Sequence, residues 1–129
     1  MADLILVRGV PGSGKSTFAK KMVDMMPSMI HLEADMFFVN DGQYRYDPTL
    51  IPAAHQWCRD RLKFHLEADA HVVVSNTFVR RWEIESYLSI VPSHTNVTVI
   101  TVHGNWPNVH GVPQAVIRRM IANWETWPV

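Results

Sequence analysis

Leu4-Ile5-Leu6-Val7-Arg8-Gly9-Val10-Pro11-Gly12-Ser13-Gly14-Lys15-Ser16-Thr17 is the stretch whose reading decides the fold. It opens with four consecutive apolar residues, the pattern of a strand buried on both faces, as in a parallel sheet. Gly9 to Ser16 then fits G-x-x-x-x-G-K-[ST], a loop whose backbone N–H groups approach phosphate oxygens closely. Lys15 to Met26 follows with Phe18, Ala19, Met22, Val23 and Met26 at helical spacing, so a helix aims its positive end at the anion. Each residue type has a task in such a loop. Gly9, Pro11, Gly12, Ser13 and Gly14 shape the cradle. Lys15 reaches the outer phosphates, Ser16 offers its hydroxyl to magnesium, and Thr17 adds a second hydroxyl. The ligands implied are ATP, or another nucleoside triphosphate, and Mg2+.

Working outward, three more strand-like runs appear: Met29–Leu32, His71–Ser75 and Val97–Val102, the last two rich in β-branched residues. Helical patterns separate them. Asp47-Pro48 reads as a helix start with Asp as cap, and that helix runs to about Asp69 with Ile51, Ala54, Cys58, Leu62 and Leu66 on one face. A third helix covers Arg80 to Ile90. A fourth begins at Pro113 and carries Val116, Ile117, Met120, Ile121 and Trp124. Alternating strands and helices predict an α/β fold with a parallel sheet and right-handed crossovers. The chain of 129 residues reads as one domain with one core. Its formal net charge of zero gives no overall basic field to attract nucleic acid, which leaves only a local basic groove. The single cysteine excludes an internal disulfide. No signal pattern or membrane-length apolar run is visible, and a cytoplasmic protein without membrane contact is expected.

Polar residues just past the strands are the next candidates, because open α/β sheets bind ligands at that edge. Asp35 stands beyond the second strand, where it is either a base that accepts a proton from an attacking hydroxyl or a helix cap. Glu33 beside it could be a second acid, with a solvated loop residue the plainer expectation, and no strand ends in an aspartate that would mark a second magnesium acid. Asn76, after the third strand, either orients substrate or a metal-bound water, or serves as a turn residue. The histidines are scattered, without the close pairs of a zinc site, though His103 and His110 flank a loop and could touch phosphate. Phe37, Phe38, Tyr44, Tyr46 and Trp57 form an aromatic set that either packs or stacks a base.

At these residues the chain resembles the P-loop kinases related to phage polynucleotide 5′-kinase. It is similar also to small phage and bacterial proteins labelled AAA-family ATPases, and to the polynucleotide-kinase-like domain of some ubiquitin-ligase-binding proteins. The resemblance rests on Gly9–Thr17, Glu33–Phe38, Gly42 with Tyr44–Tyr46, Ala54–Cys58, Val74–Thr77 and Asn108–Pro113. It implies four parallel strands in the order 2-3-1-4 and a shortened lid. It casts Asp35 as general base and Asn76 near a substrate-steadying position. The acceptor implied is a hydroxyl on a nucleotide or a nucleic-acid end, and a protein partner is the alternative role for a bound nucleotide. Three departures stand out. Met36 replaces a second aspartate, Phe38 replaces an arginine that would grip a 3′-phosphate, and Pro107 replaces the lid arginine within His103–Asn108. Arg118 or Arg119 on the last helix could supply that charge, or could form a solvated helix face.

ATP with magnesium is expected to raise the melting temperature, since a ligand at a hundredfold excess over Kd stabilises the folded state by about 2.7 kcal/mol. Lys15→Ala should abolish most of this shift while leaving the ligand-free melting temperature near that of wild type. Equal shifts in both proteins, read by scanning calorimetry, would place the nucleotide elsewhere.

Overall fold

A computed structural model describes residues 2–104 and 111–127. Strand β1 (Asp3–Arg8) leads into helix α1 (Lys15–Met25), then β2 (Ile30–Leu32) and a 3-10 turn (Ala34–Phe38). A short hairpin follows, β3 (Val39–Asn40) and β4 (Gln43–Tyr44), then a second 3-10 turn (Pro48–Leu50) and α2 (Ile51–Glu67). Strand β5 (Val72–Asn76), α3 (Arg81–Leu88), β6 (Asn96–Thr101) and α4 (Gln114–Ala122) complete the described elements. Strands β2, β5, β1 and β6 form one parallel sheet in that spatial order, which is the expected 2-3-1-4 order of the four sheet strands.

The apolar run of β1 is explained by helices on both sheet faces. Leu4 and Leu6 join Val72, Val74 and Leu32 on one face, packed against Ala54, Cys58, Leu62 and Leu66 of α2 and Ile84 and Tyr87 of α3. Val7 and Val73 occupy the other face with Ala19 of α1 and Met29. Each fully buried Leu or Val contributes roughly 1.5–3 kcal/mol relative to exposure, so a one-residue register slip, which would exchange the faces, is strongly opposed.

The structure departs from expectation locally. The helix expected from Asp47 is a 3-10 turn followed by α2, with Asp47 accepting a hydrogen bond from the Thr49 amide at 3.0 Å. Ile51 has the right spacing for the buried face but is 39% exposed, because it opens α2 ahead of the first buried position, Ala54. On α4, Ile117 is buried while Ile121 stays exposed, a narrower stripe than the pattern suggests. The β3–β4 hairpin was not expected. Asp41 and Gly42 close it with φ of 50° and 76°, the paired positive angles of a tight two-residue turn.

Among the described residues, Arg8 is the largest fully buried side chain. Its Nε and Nη2 donate to the Phe78 carbonyl at 3.0 and 2.6 Å, and Nη2 also donates to the carbonyls of Val79 at 3.2 Å and Glu125 at 2.7 Å. The guanidinium carbon lies 4.0 Å from the centroid of the Trp124 ring. One side chain thus ties the end of β1 to the β5–α3 connection and to the chain after α4. Arg8→Met would leave those buried carbonyls without their donor, and we expect a loss of about 3 kcal/mol in urea-denaturation stability. A loss below about 1 kcal/mol would mean that water or backbone rearrangement replaces the guanidinium.

Candidate functional site

The loop between β1 and α1 lies at the C-terminal edge of the sheet. Gly14 is the N-cap of α1 with φ 94°, a left-handed conformation that favours glycine, and it offers no side chain to cap the first turn. The first-turn amides are thus left to an external acceptor, with the helix dipole adding attraction for an anion. A Cβ at Gly9 would meet Ser13 Oγ and would lie 2.8 Å from the Val102 carbonyl oxygen, so the start of the loop requires glycine. Ser13 is buried, and its Oγ has no hydrogen-bond partner among the described residues. Burial lowers the pKa of Lys15, against the opposing charges of Glu33 and then Asp35. Ser16 is half-buried, whereas Thr17 is exposed and Pro11 partly so.

Glu33 corrects the sequence reading. It is not a solvated loop residue, since its side chain is 13% exposed. Register explains why. Leu32 pairs with Val74, so one step further brings Glu33 beside Ser75. Side chains alternate between sheet faces, which sends His31, Glu33 and Ser75 to the face carrying α1. There the Glu33 Oε1 accepts hydrogen bonds from Ser16 Oγ at 2.5 Å and Ser75 Oγ at 2.7 Å. His31 Nε2 lies 3.1 Å from the same oxygen and 2.7 Å from Ser75 Oγ. Because a carboxylate only accepts, this nitrogen carries the proton. Burial pushes the Glu33 pKa up, but the bonds from His31, Ser16 and Ser75 outweigh it and hold the value down to about 2. The signal available in the sequence was period-two alternation continued one residue past β2.

Asp35 sits in the 3-10 turn immediately after Glu33. Tyr44 on the hairpin reaches it, with the phenol oxygen 3.4 Å from Asp35 Oδ1, and burial and the Asp35 charge push the Tyr44 pKa up to about 12. The aromatic residues pack on one another. Phe38 meets Tyr46 and Tyr44 edge-on at 5.2 and 6.3 Å, and Phe37 meets Trp57 at 6.2 Å.

Asn76 is brought to the same edge but on the opposite face. Its Oδ1 accepts from the Ala34 amide at 2.9 Å, and its Nδ2 donates to the Tyr87 hydroxyl at 3.1 Å. The side chain is 6% exposed. Each end makes one bond within the fold, which supports the turn that carries Asp35. Arg118 and Arg119 are exposed on α4, where Arg119 lines a shallow groove with Val79, Trp82 and Met120. Pro107, Asn108 and His110 of the expected lid lie outside the described residues.

A family described as an AAA domain matches residues 4–111. The chain is 30% identical over 133 residues to NEDD4-binding protein 2 of Homo sapiens, covering 95% of this chain and 8% of that protein. Among solved structures it is similar to a chain in the structure of the Pnkp1/Rnl/Hen1 RNA repair complex, with TM-score 0.74, 15% identity, and coverage of 95% of this chain and 43% of the other. It is similar as well to a gluconokinase from Sinorhizobium meliloti 1021, with TM-score 0.66, 20% identity, and coverage of 96% and 75%. These two likenesses show the fold. The chain spans a small part of the human relative and less than half of the RNA-repair chain.

The lowered Glu33 value has a pH signature. An unfolded chain takes up a proton at Glu33 near the ordinary 4.5, while the folded chain holds out to about 2. The stabilisation is therefore complete above the unfolded value and disappears as pH falls through the folded one. Wild type should exceed Glu33→Gln by on the order of 3 kcal/mol near neutrality, and the gap should close between about pH 5 and pH 2. Urea denaturation across that range reads it, and a gap independent of pH would show that packing rather than charge is responsible.

Proposed function

The chain belongs to the AAA domain family in its P-loop, kinase-like form, and on that premise we propose that it binds ATP with magnesium and transfers the terminal phosphoryl group to a hydroxyl. The acceptor class is a nucleotide, a nucleic-acid end or a small hydroxyl compound. The observation that carries the reading is the position of Asp35, directly after β2 and close enough to Lys15 for its charge to oppose the loss of the lysine proton. One carboxylate beside the phosphate loop and outside the cradle is where a general base is needed.

In this reading the first-turn amides of α1 and Lys15 hold the outer phosphates, and Ser16 is the protein's metal ligand. The donor set fits. A hydroxyl with a carboxylate behind it is oxygen chemistry suited to magnesium, which keeps waters and shares substrate phosphates rather than filling a protein cage. Among the described residues no group of three His, Cys, Asp or Glu side chains could hold the ion alone. Magnesium when bound neutralises charge on the outer phosphates. The acceptor oxygen attacks the γ-phosphorus, the bond to the β-phosphate oxygen breaks, ADP leaves, and the acceptor proton passes to Asp35. Asn76 supports this arrangement from behind, through the Ala34 amide. Thr17, exposed on α1, is left at the rim.

A second reading, a nucleotide-binding module without useful transfer, or with slow hydrolysis, is favoured by the exposure of Arg118 and Arg119. An arginine that closes on the transferring phosphoryl group contributes roughly 10³–10⁵ in rate. Incubation with γ-labelled ATP and a panel of oligonucleotides, nucleosides, small polyols and proteins separates the readings. Label transferred to one acceptor supports the kinase, and label released only as phosphate supports the module. Asp35→Asn should keep ATP affinity within a few-fold and slow transfer by roughly 10²–10⁴. Transfer at the wild-type rate would remove Asp35 from the role of base.

A further inference from the structure

Among the described residues, helix α4 gives the core a single buried side chain, Ile117. The flank beside it carries Val116 and Met120, one helical turn apart. Both line a groove between α4 and the start of α3, together with Val79 and Trp82. Its volume is about 340 Å³, the small end of ligand-sized clefts, with room for one or two large side chains. Trp82 is 63% exposed. An indole this open beside an apolar groove is contact area left unused by the fold.

The rim of the groove is positive. Arg119 belongs to the same flank of α4, and Arg80 stands at the N-cap of α3. Among the described residues neither guanidinium makes an ion pair. Arg80 Nη2 donates to Asn123 Oδ1 at 2.9 Å, a neutral partner that ties the two helices together. The one acid lining the groove, Glu83, is already engaged, because its Oε2 accepts from the Arg80 amide at 2.7 Å and closes the first turn of α3. Behind Val79, whose carbonyl it binds, Arg8 adds a third cation. Its Nη1 is buried and has no hydrogen-bond partner among the described residues. Fixed cations around an apolar floor favour an anion above it.

We propose that the groove between α3 and α4 is a docking site for an acidic peptide segment of a partner protein: one large apolar side chain enters beside Trp82, over Val79, Val116 and Met120, and carboxylates flanking it pair with Arg119 and Arg80. Tryptophan and arginine are the side chains that most often dominate such interfaces. A nucleic-acid strand suits the surface less. Glu83 and Glu85 follow Arg80 and Arg81 on α3, so no run of positive charge is present along which successive phosphates could lie. A second copy using the same face would set one positive rim against another. The proposal goes beyond the phosphoryl-transfer reading and does not depend on it.

The test is selection of a random-peptide display library on the wild-type chain, followed by titration of the enriched peptides, made synthetically, into wild type, Trp82→Ala and Arg119→Glu. Enriched peptides are expected to carry Asp or Glu close to a large apolar residue. Their affinity should fall by roughly tenfold or more in each variant, and it should weaken as salt is added. Replacing the peptide's acid by Lys should cost binding to wild type and restore binding to Arg119→Glu, which a general loosening of the groove would not do. Failure to enrich any peptide overturns the proposal, as do peptides without acidic residues or peptides that bind the variants as they bind wild type. Fluorescein-labelled oligothymidine is titrated in parallel. Binding that Arg119→Glu abolishes makes the groove a nucleic-acid surface and overturns the proposal, and so does a dimer, seen by sedimentation, that Trp82→Ala dissolves. Both substituted side chains are exposed, so melting temperatures near that of wild type are expected. Should Arg119→Glu fail to fold, Arg119→Gln carries the same comparison, with a smaller loss expected and an unchanged affinity overturning the proposal.

Discussion

Parallel register between β2, β5 and β1 is the constraint from which the arrangement of the site follows. Leu4 faces Val72, Arg8 faces Asn76, and Leu32 faces Val74. With both faces of these strands packed, apolar side chains of the same strand are divided between two cores. A shift by one residue would carry every one of them to the wrong core. The polar residues that continue the strands inherit this alternation. His31, Glu33 and Ser75 emerge beside α1, and Ala34 and Asn76 emerge beside α2 and α3. Two chemically different clusters thus arise at one edge of one sheet, separated only by the odd and even positions of the chain.

Each cluster meets an electrostatic demand in its own way. On the α1 face, uncapped helix amides and Lys15 present positive charge outward while Glu33 holds negative charge behind Ser16. Three donors converge on a single oxygen and keep that acid ionised despite its burial. On the opposite face the groups are neutral. His55 Nδ1 is 2.8 Å from the Tyr87 hydroxyl, which accepts from Asn76, whose other end holds the Ala34 amide. A satisfied neutral network rigidifies its surroundings without the cost of a buried ion. Its position under the Ala34–Phe38 turn makes it a foundation for the residues just before and within that turn.

The edge is braced from within by Arg8. Phe78 adopts φ 46°, an uncommon conformation for a bulky residue, and its carbonyl receives two of the arginine's hydrogen bonds. Strain of this kind persists only where the surroundings over-determine it, and here the surroundings include the Phe78–Tyr87 ring contact at 5.1 Å. The segment after α4 adds to the brace, since the Glu125 carboxylate accepts from the Arg81 amide at 2.8 Å and caps α3. The β5–α3 connection, which begins at Asn76 and Thr77, is therefore tied to the strand that delivers the loop.

Much of this was legible in the chain. The run from Leu4 to Thr17 determined a buried strand, a phosphate-type loop and an amphipathic helix in succession, because those features depend on local composition and spacing. The same held for the four sheet strands and for the bulk of α2, whose Ala54, Cys58, Leu62 and Leu66 are buried as their spacing requires. The 2-3-1-4 order came from resemblance, and pairing bears it out. What remained hidden depends on which residues become neighbours across the sheet. Nothing in the neighbouring sequence marks Arg8, whose partners are 70 and more residues away. Glu33 reads as a loop acid until β5 brings Ser75 beside it and α1 brings Ser16 above it. Asn76 reads as a residue at a ligand edge until alternation turns it into the core. A side chain's type and spacing are written locally, but its solvation and its hydrogen-bond partners are properties of the packed sheet, and these decide whether a carboxylate is a surface charge or a fixed acid.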